Sequence, residues 1–240
     1  MDGNGRWAEA NGRPRLFGHR EGSRSVQEVT RAARRLGIRY LTLYAFSAQN
    51  WSRPSPEVEG LMDLLGEYLQ LERDELMENE IRLHAIGDLD RLPARVRAPL
   101  DELRVASAEN DRMTLTLALS YGSREEVVHA ARRIAEDVAA GRLSPAEVNA
   151  ETVGARLWTT ELPDPDLVIR TSGEMRLSNF LLLQAAYSEI VVVDEPWPAF
   201  RERELLAAVR EFQGRERRFG KTSAQLRAGG SSTPLRKVVS

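Results

Sequence analysis

The sequence predicts an α/β domain, with a central, mostly parallel sheet covered by helices on both faces. Two observations carry that expectation. Short β-branched and aromatic runs alternate with longer stretches whose apolar residues recur every three or four positions, and such alternation builds parallel sheets buried on both faces. Polar clusters also come directly after the apolar runs that end at Phe46 and Ile169, and ligands of such sheets bind outside the carboxyl ends of the strands.

Asp2-Gly3-Asn4-Gly5-Arg6-Trp7 reads as a sharp turn with consecutive N–H groups facing one side. Arg13-Pro14-Arg15 is loop-like, and from about His19 the residues Val26, Val29, Ala33 and Leu36 keep helical spacing until Gly37 stops the helix. Residues 38–46 form a buried strand and 47–53 a polar loop at its carboxyl end. The next helix opens at Ser55, with Pro56 at its first position and Glu57 and Glu59 near the positive end of its dipole, and its pattern runs to about Asn79.

Strands at 81–86 and 113–119 flank a helix over 93–108 that Pro99 disturbs. Ser123 with Glu126 reads as a capping box for a helix reaching Gly141, and Ser144 with Glu147 as a second box before a shorter helical segment near Trp158. Residues 167–169 and 190–193 are apolar strands, with a helix at 181–186 between them and a last helix over 201–219. The composition then turns to Ser, Gly, Thr and Pro, so 221–240 is expected to be a disordered tail and 1–220 one domain.

Composition excludes several chemistries. A net charge of −2 over 240 residues argues against a basic nucleic-acid surface, so no nucleic-acid partner is expected. The absence of cysteine rules out disulfides, thiolate catalysis and Cys-ligated metals. No apolar run reaches the roughly 18 residues of a membrane span, and polar residues come after Met1, so a cytoplasmic protein is the expectation. The phosphate-loop, dinucleotide-binding and nucleophile-elbow motifs do not occur.

Three constellations carry chemistry. The first is the turn at Asp2–Trp7, where a concave row of N–H donors suits an anion, Arg6 suits phosphate oxygens and Asp2 offers a carboxylate for Mg²⁺. Ser47-Ala48-Gln49-Asn50-Trp51-Ser52-Arg53 gathers a hydroxyl, two amides, an indole and a guanidinium behind a strand. This is either an ordinary strand-to-helix connection or a seat for a polar head beside an apolar wall. In Arg170-Thr171-Ser172-Gly173-Glu174-Met175-Arg176-Leu177-Ser178-Asn179, two arginines with hydroxyls between them suit a diphosphate. His19 is either a helix-start histidine or a phosphate contact, and Glu189 either strand-edge polarity or a metal contact.

Asp2-Gly-Asn-Gly-Arg-Trp-Ala8, Gly18-His19-Arg20-x-Gly22, Leu43-Tyr44-Ala45-Phe46-Ser47, Asn50-Trp51-x-Arg53-Pro54, Ile169-Arg170-Thr171-Ser172-Gly173-Glu174, Arg176-Leu177-Ser178-Asn179-Phe180-Leu181 and Trp197-Pro198 together resemble the cis-prenyltransferases, the isoprenyl transferases typified by undecaprenyl diphosphate synthase. The resemblance runs from Asp2 to about Gly220. It implies condensation of isopentenyl diphosphate with an allylic diphosphate such as farnesyl diphosphate, giving a cis-polyprenyl diphosphate. It implies Mg²⁺ as cofactor, held by Asp2, with Glu189 associated with metal binding. Gly3, Asn4, Gly5 and Arg6 would cradle the allylic diphosphate, with Arg15 and His19 nearby. Trp7 and Trp51 match substrate-lining aromatics, and Asn50 matches the catalytic asparagine. Ser47, Ala48 and Gln49 share the substrate-binding loop with Asn50. Arg53, Arg170, Arg176, Leu177 and Ser178 match the isopentenyl diphosphate side. Arg218-Phe219-Gly220 resembles an element that reaches a partner subunit's site, so a homodimer is expected, its lipid product bringing it to the membrane surface.

The sequence departs from the family in ways that set further expectations. Met1 stands where members carry a short apolar strand, so Asp2 is expected to hang from a free end beside strands with unpaired backbone groups. Gln49 replaces a frequent glutamate and Ala48 a frequent hydroxyl residue. A catalytically silent partner subunit of the same fold is the alternative to an enzyme.

Overall fold

Along the chain, α1 (Asn4–Ala10) and α2 (Arg15–Arg35) precede β1 (Tyr40–Ser47), which a 3₁₀ turn (Ala48–Ser52) joins to α3 (Ser55–Leu71) and α4 (Arg73–Glu78). Then come β2 (Ile81–Ile86), α5 (Ala94–Ala106), β3 (Met113–Tyr121), α6 (Ser123–Ala139), α7 (Ala150–Gly154), β4 (Leu167–Arg170), β5 (Glu189–Val192) and α8 (Glu202–Gln213). This computed structural model describes residues 1–215. The expected tail at 221–240, the end of the expected helix over 201–219 and Arg218-Phe219-Gly220 lie outside the described residues.

All the strand pairs are parallel. β3 lies between β1 and β2, and β4 pairs with β5 in a separate two-stranded sheet. The α/β class is as expected, but among the described residues the sheet is divided rather than continuous. β3 shows why both faces are covered. Met113, Leu115, Leu117 and Leu119 point into the main core with Leu43, Leu83, Val29, Met62, Leu100 and Leu205. Ala118 and Tyr121 join a smaller cluster with Ile86, Leu181, Tyr44 and Phe180. Successive strand residues face opposite sides, so a strand apolar at nearly every position is buried on both.

The β1–β3 register slips beyond Tyr44, where Tyr44 opposes Ala118, Phe46 opposes Leu119 and Ser47 opposes Tyr121. Ser120 takes a φ of 49° there. A bulge of this kind bends a strand and re-aims the segment beyond it. In β1 that segment is the loop carrying Gln49 and Asn50.

Several local expectations change. The turn at Asp2–Trp7 opens instead into α1, with Gly3 as a left-handed cap at φ 91°. A Cβ at Gly3 would collide with Ser172 Oγ, so glycine is required by both conformation and space. The helix expected over 55–79 breaks at Glu72, which is buried and accepts a hydrogen bond from Gln27 of α2. Helix 181–186 shrinks to a 3₁₀ turn, Gln184–Tyr187.

Ser123 and Glu126 do not form a capping box. Gly122 is the N-cap, and Glu126 is fully buried, accepting from Tyr121 Oη (2.6 Å) and from Thr159 N, Thr159 Oγ1 and Gln184 Nε2 (each 3.0 Å). The box at Ser144 and Glu147 is present.

Candidate functional site

Asp2 does not hang from a free end. Its N–H donates to Thr171 Oγ1 at 2.8 Å, Thr171 Oγ1 donates to its carbonyl at 3.1 Å, and Trp197 N donates to the same carbonyl at 2.8 Å. The carboxylate accepts from Gly3 N at 2.7 Å and from Arg170 Nη2 at 2.9 Å. Burial by itself pushes this carboxyl up, but the Gly3 N–H and the Arg170 guanidinium outweigh it and hold Asp2 below the usual carboxylate range. Thr171 lies just past β4, so the end of that strand fixes both Asp2 and its cation.

The arginines are tied in pairs by carboxylates. Glu174 meets Arg6 at 2.8 Å and Arg176 at 2.7 Å. Glu57, at the start of α3, meets Arg53 at 3.0 Å and Arg15 at 3.7 Å. Arg170 Nη2 also donates to Ser178 Oγ at 3.3 Å. Arg6 and Arg15, Arg53, and Arg170 with Arg176, three regions far apart in the chain, thus present guanidinium groups to one space.

Burial is the main cause that pulls the His19 imidazole down to about 4, and Arg53 and Arg15 add to it against Glu57. The ring is neutral at neutral pH, and its Nε2 is buried without a hydrogen-bond partner among the described residues. Asn50 Oδ1 accepts the N–H of Ser47 at 3.0 Å, which leaves its NH₂ group to meet a ligand.

These groups border one cavity of about 920 Å³, at the upper end of the roughly 300–1,000 Å³ common for small-molecule sites. Asp2, Gly3, Asn4, Gly5, Arg6, Arg15 and His19 line it from the α1–α2 side, and Ser47, Gln49, Asn50 and Arg53 from the loop after β1. Arg170, Arg176, Leu177 and Ser178 close the β4 side. Away from the arginines the wall is apolar, built of Val26, Ala45, Leu61, Leu64, Leu65 and Leu117. Such a space can take charged heads at one end and a hydrocarbon at the other.

Four expected residues do not border the cavity. Trp7 stacks on Phe17, with centroids 6.2 Å apart. Trp51 turns inward, its Nε1 donating to Ser120 Oγ at 2.9 Å and its ring lying edge-on to Phe46. Ala48 merely begins the 3₁₀ turn. Glu189 pairs with Leu167 at the opposite end of the β4–β5 ladder from Arg170, and its carboxylate meets Arg215 at 2.9 Å. Asp2 and Glu189 therefore do not share a metal site within this chain, and no cluster of three or more candidate ligands occurs among the described residues. Asp2 alone fits Mg²⁺: it is an ionised oxygen donor beside clustered arginines, and Mg²⁺ commonly takes one carboxylate, phosphate oxygens and water.

Tyr44, Arg124, Glu125 and Asn179 also line the cavity, and their residue types pointed to no role there. Tyr44 and Asn179 stood inside recognised motifs. Arg124 and Glu125 carried no signal beyond a helix start.

The model of the family described as putative undecaprenyl diphosphate synthase matches residues 1–220. An isoprenyl transferase of Brucella abortus biovar 1 (strain 9-941) is 52% identical over 220 residues, covering 92% of this chain and 87% of that protein. One from Chlorobaculum tepidum is 50% identical over 227 residues, covering 95% and 86%. Among solved structures, lavandulyl diphosphate synthase from Lavandula x intermedia, in complex with dimethylallyl diphosphate, matches with a TM-score of 0.90 and 36% identity over 92% of this chain and 95% of its own. A probable undecaprenyl diphosphate synthase from Campylobacter jejuni matches with a TM-score of 0.74 and 36% identity over 84% and 92%. With its parallel strands, its arginine-rimmed cavity and these relatives, the chain belongs to the undecaprenyl diphosphate synthase family of isoprenyl transferases.

Proposed function

We propose that the protein condenses isopentenyl diphosphate with an allylic diphosphate such as farnesyl diphosphate to give a cis-polyprenyl diphosphate, with Mg²⁺ as cofactor. The observation that carries this reading is one shared cavity in which two adjoining cationic regions meet an apolar wall. Asp2 links the regions through Arg170, and Glu174 links them through Arg6 and Arg176. Dimethylallyl diphosphate, held by a structural neighbour, is itself an allylic diphosphate.

Gly3, Asn4, Gly5, Arg6, Arg15 and neutral His19 hold the allylic diphosphate, and Arg53 belongs with the isopentenyl diphosphate side, tied to Arg15 through Glu57. As its carbon–oxygen bond breaks, the leaving group gains negative charge that Arg6 and Arg15 stabilise more than they do the bound ester. Asp2 would hold Mg²⁺, which would supply further charge neutralisation to that diphosphate. Arg170, Arg176 and Ser178 hold isopentenyl diphosphate so that its double bond attacks the allylic carbon. One proton must then leave. Asn50 is a weak base whose carbonyl is already engaged by Ser47, so it orients the acceptor, a diphosphate oxygen or water.

The protein acts in the cytoplasm as a homodimer, reaching the membrane surface through its product. Exposed Leu183, Tyr187, Ile190 and Val192, in β5 and the segment before it, supply apolar surface for self-association. No helix among the described residues is long and apolar enough to cross a membrane.

Incubation with Mg²⁺, farnesyl diphosphate and labelled isopentenyl diphosphate tests the reading, and extractable labelled lipid is expected. Lipid formed only after mixing with a second protein favours the silent-subunit alternative, and inorganic phosphate without lipid rejects both.

A further inference from the structure

Asn179 makes three hydrogen bonds to three consecutive residues in the first turn of α6. Its carbonyl accepts the N–H of Ser123 at 2.8 Å, its Oδ1 accepts the N–H of Arg124 at 2.9 Å, and its Nδ2 donates to Glu125 Oε2 at 2.8 Å. The first N–H groups of a helix have no partner within it, and the N-cap here, Gly122, has no side chain to supply one. The Glu125 carboxylate and Asn179 Nδ2 meet over the bare Cα of Gly122, in space that a Cβ would enter. Asn179 therefore caps α6 from 54 residues further along the chain, counted from Glu125.

The same contacts hold an uncommon backbone. Ser178 and Asn179 are successive left-handed residues, at φ 50° and 63°. Asparagine tolerates that region better than most side chains, and a run of such residues persists only where its surroundings impose it. Its position aims Ser178 Oγ at Arg170, which in turn holds Asp2. On the other side, Glu125 Oε1 accepts from Gln49 Nε2 at 3.1 Å, in the loop that carries Asn50. Asn179 thus stands between the loop after β4 and the loop after β1.

The geometry points to Asn179 as a positioning residue that sets Ser178 and Arg176 on one side, and Arg124 and Glu125 on the other, around isopentenyl diphosphate. This rests on the condensation reaction under Proposed function. Asn179 acts through these neighbours, and its loss loosens one substrate's half of the site while the α1–α2 half stays in place.

Two single variants and one double variant test this. Asn179→Gly accepts the left-handed backbone but removes the side-chain bonds. Asn179→Asp keeps the Oδ1 acceptor and sets an oxygen against Glu125. Each is expected to raise the KM for isopentenyl diphosphate about tenfold or more, with the KM for farnesyl diphosphate changed by less than about twofold. Combining Asn179→Asp with Glu125→Gln restores the bond with donor and acceptor exchanged, and is expected to recover most of the lost KM. Circular dichroism and thermal melting show that the compared variants are folded, and Asn179→Asp with its rescue suffices if Asn179→Gly does not fold. An unchanged isopentenyl KM, an equal rise in both KM values, or no rescue by the double variant overturns the assignment. Wild-type protein that forms no lipid overturns the condensation and this inference together, whereas normal variants of an active wild type overturn this one alone.

Discussion

Asp2 and Arg170 meet at 2.9 Å across 168 residues of sequence. The contact joins the start of α1 to the end of β4. Removing the carboxylate deletes the expected Mg²⁺ ligand and leaves Arg170 facing Ser178 alone. Asp2→Ala is therefore expected to lower turnover by about three orders of magnitude, while size-exclusion chromatography shows the same oligomeric state as the wild type. Near-normal turnover would remove Asp2 from the mechanism.

His19 makes stability depend on pH in a defined direction. Its proton affinity falls from an ordinary 6.5 to about 4 on folding. Between those values the unfolded chain binds the proton and the folded chain does not, so stability is retained above 6.5 and declines as pH drops towards 4. A His19→Gln variant should show a shallower fall in thermal midpoint across that window. Parallel profiles for the two proteins would contradict the burial argument.

Leu65 lies on the apolar wall of the cavity, where a growing hydrocarbon would run. Leu65→Trp fills part of that space, and closely packed walls relax little around added atoms. The product is expected to shorten by one or more isoprene units, read by chromatography of labelled lipids. An unaltered length distribution places the chain elsewhere.

Tyr68 Oη is buried without a hydrogen-bond partner among the described residues. Burying an unpaired hydroxyl costs stability. Tyr68→Phe should therefore stabilise the free protein by about 1 kcal/mol, measured by urea unfolding. A loss of similar size would mean that the hydroxyl has a partner in solution.

Glu126 accepts four hydrogen bonds in a fully buried setting. Its removal takes the acceptor from the hydroxyl of Tyr121 and the N–H of Thr159 together, while Gln184 Nε2 keeps Thr159 Oγ1 at 2.6 Å. Glu126→Ala is expected to cost about 3 kcal/mol or more, with a lower urea midpoint as the check. A change below about 0.5 kcal/mol, the ordinary range for surface substitutions, would show that water replaces the carboxylate.

The local parts of the fold were legible because they depend on neighbours in sequence. Ile81–Ile86 begins and ends where its apolar pattern does, and the box at Ser144 and Glu147 closes over three residues. Glu126 shows the limit. Ser123-x-x-Glu126 has the same local form, yet the carboxylate serves Thr159 and Gln184 instead, and no spacing rule reports a partner tens of residues away. Trp51 shows the same limit: its motif marks the residue, but the packing of Phe46 and Ser120 decides that its ring turns inward.

The sequence by itself determined the α/β class, the family and about half of the residues that border the cavity, because periodicity and motif order are properties of the chain. Only the tertiary structure decided which of them meet. It joined Asp2 to Arg170, set Glu174 between Arg6 and Arg176, and left Glu189 with Arg215 at the far end of the β4–β5 ladder. The reason is geometric. An ion pair depends on separations of a few ångströms between groups whose positions are set by the packing of whole strands and helices, and sequence distance carries no record of it.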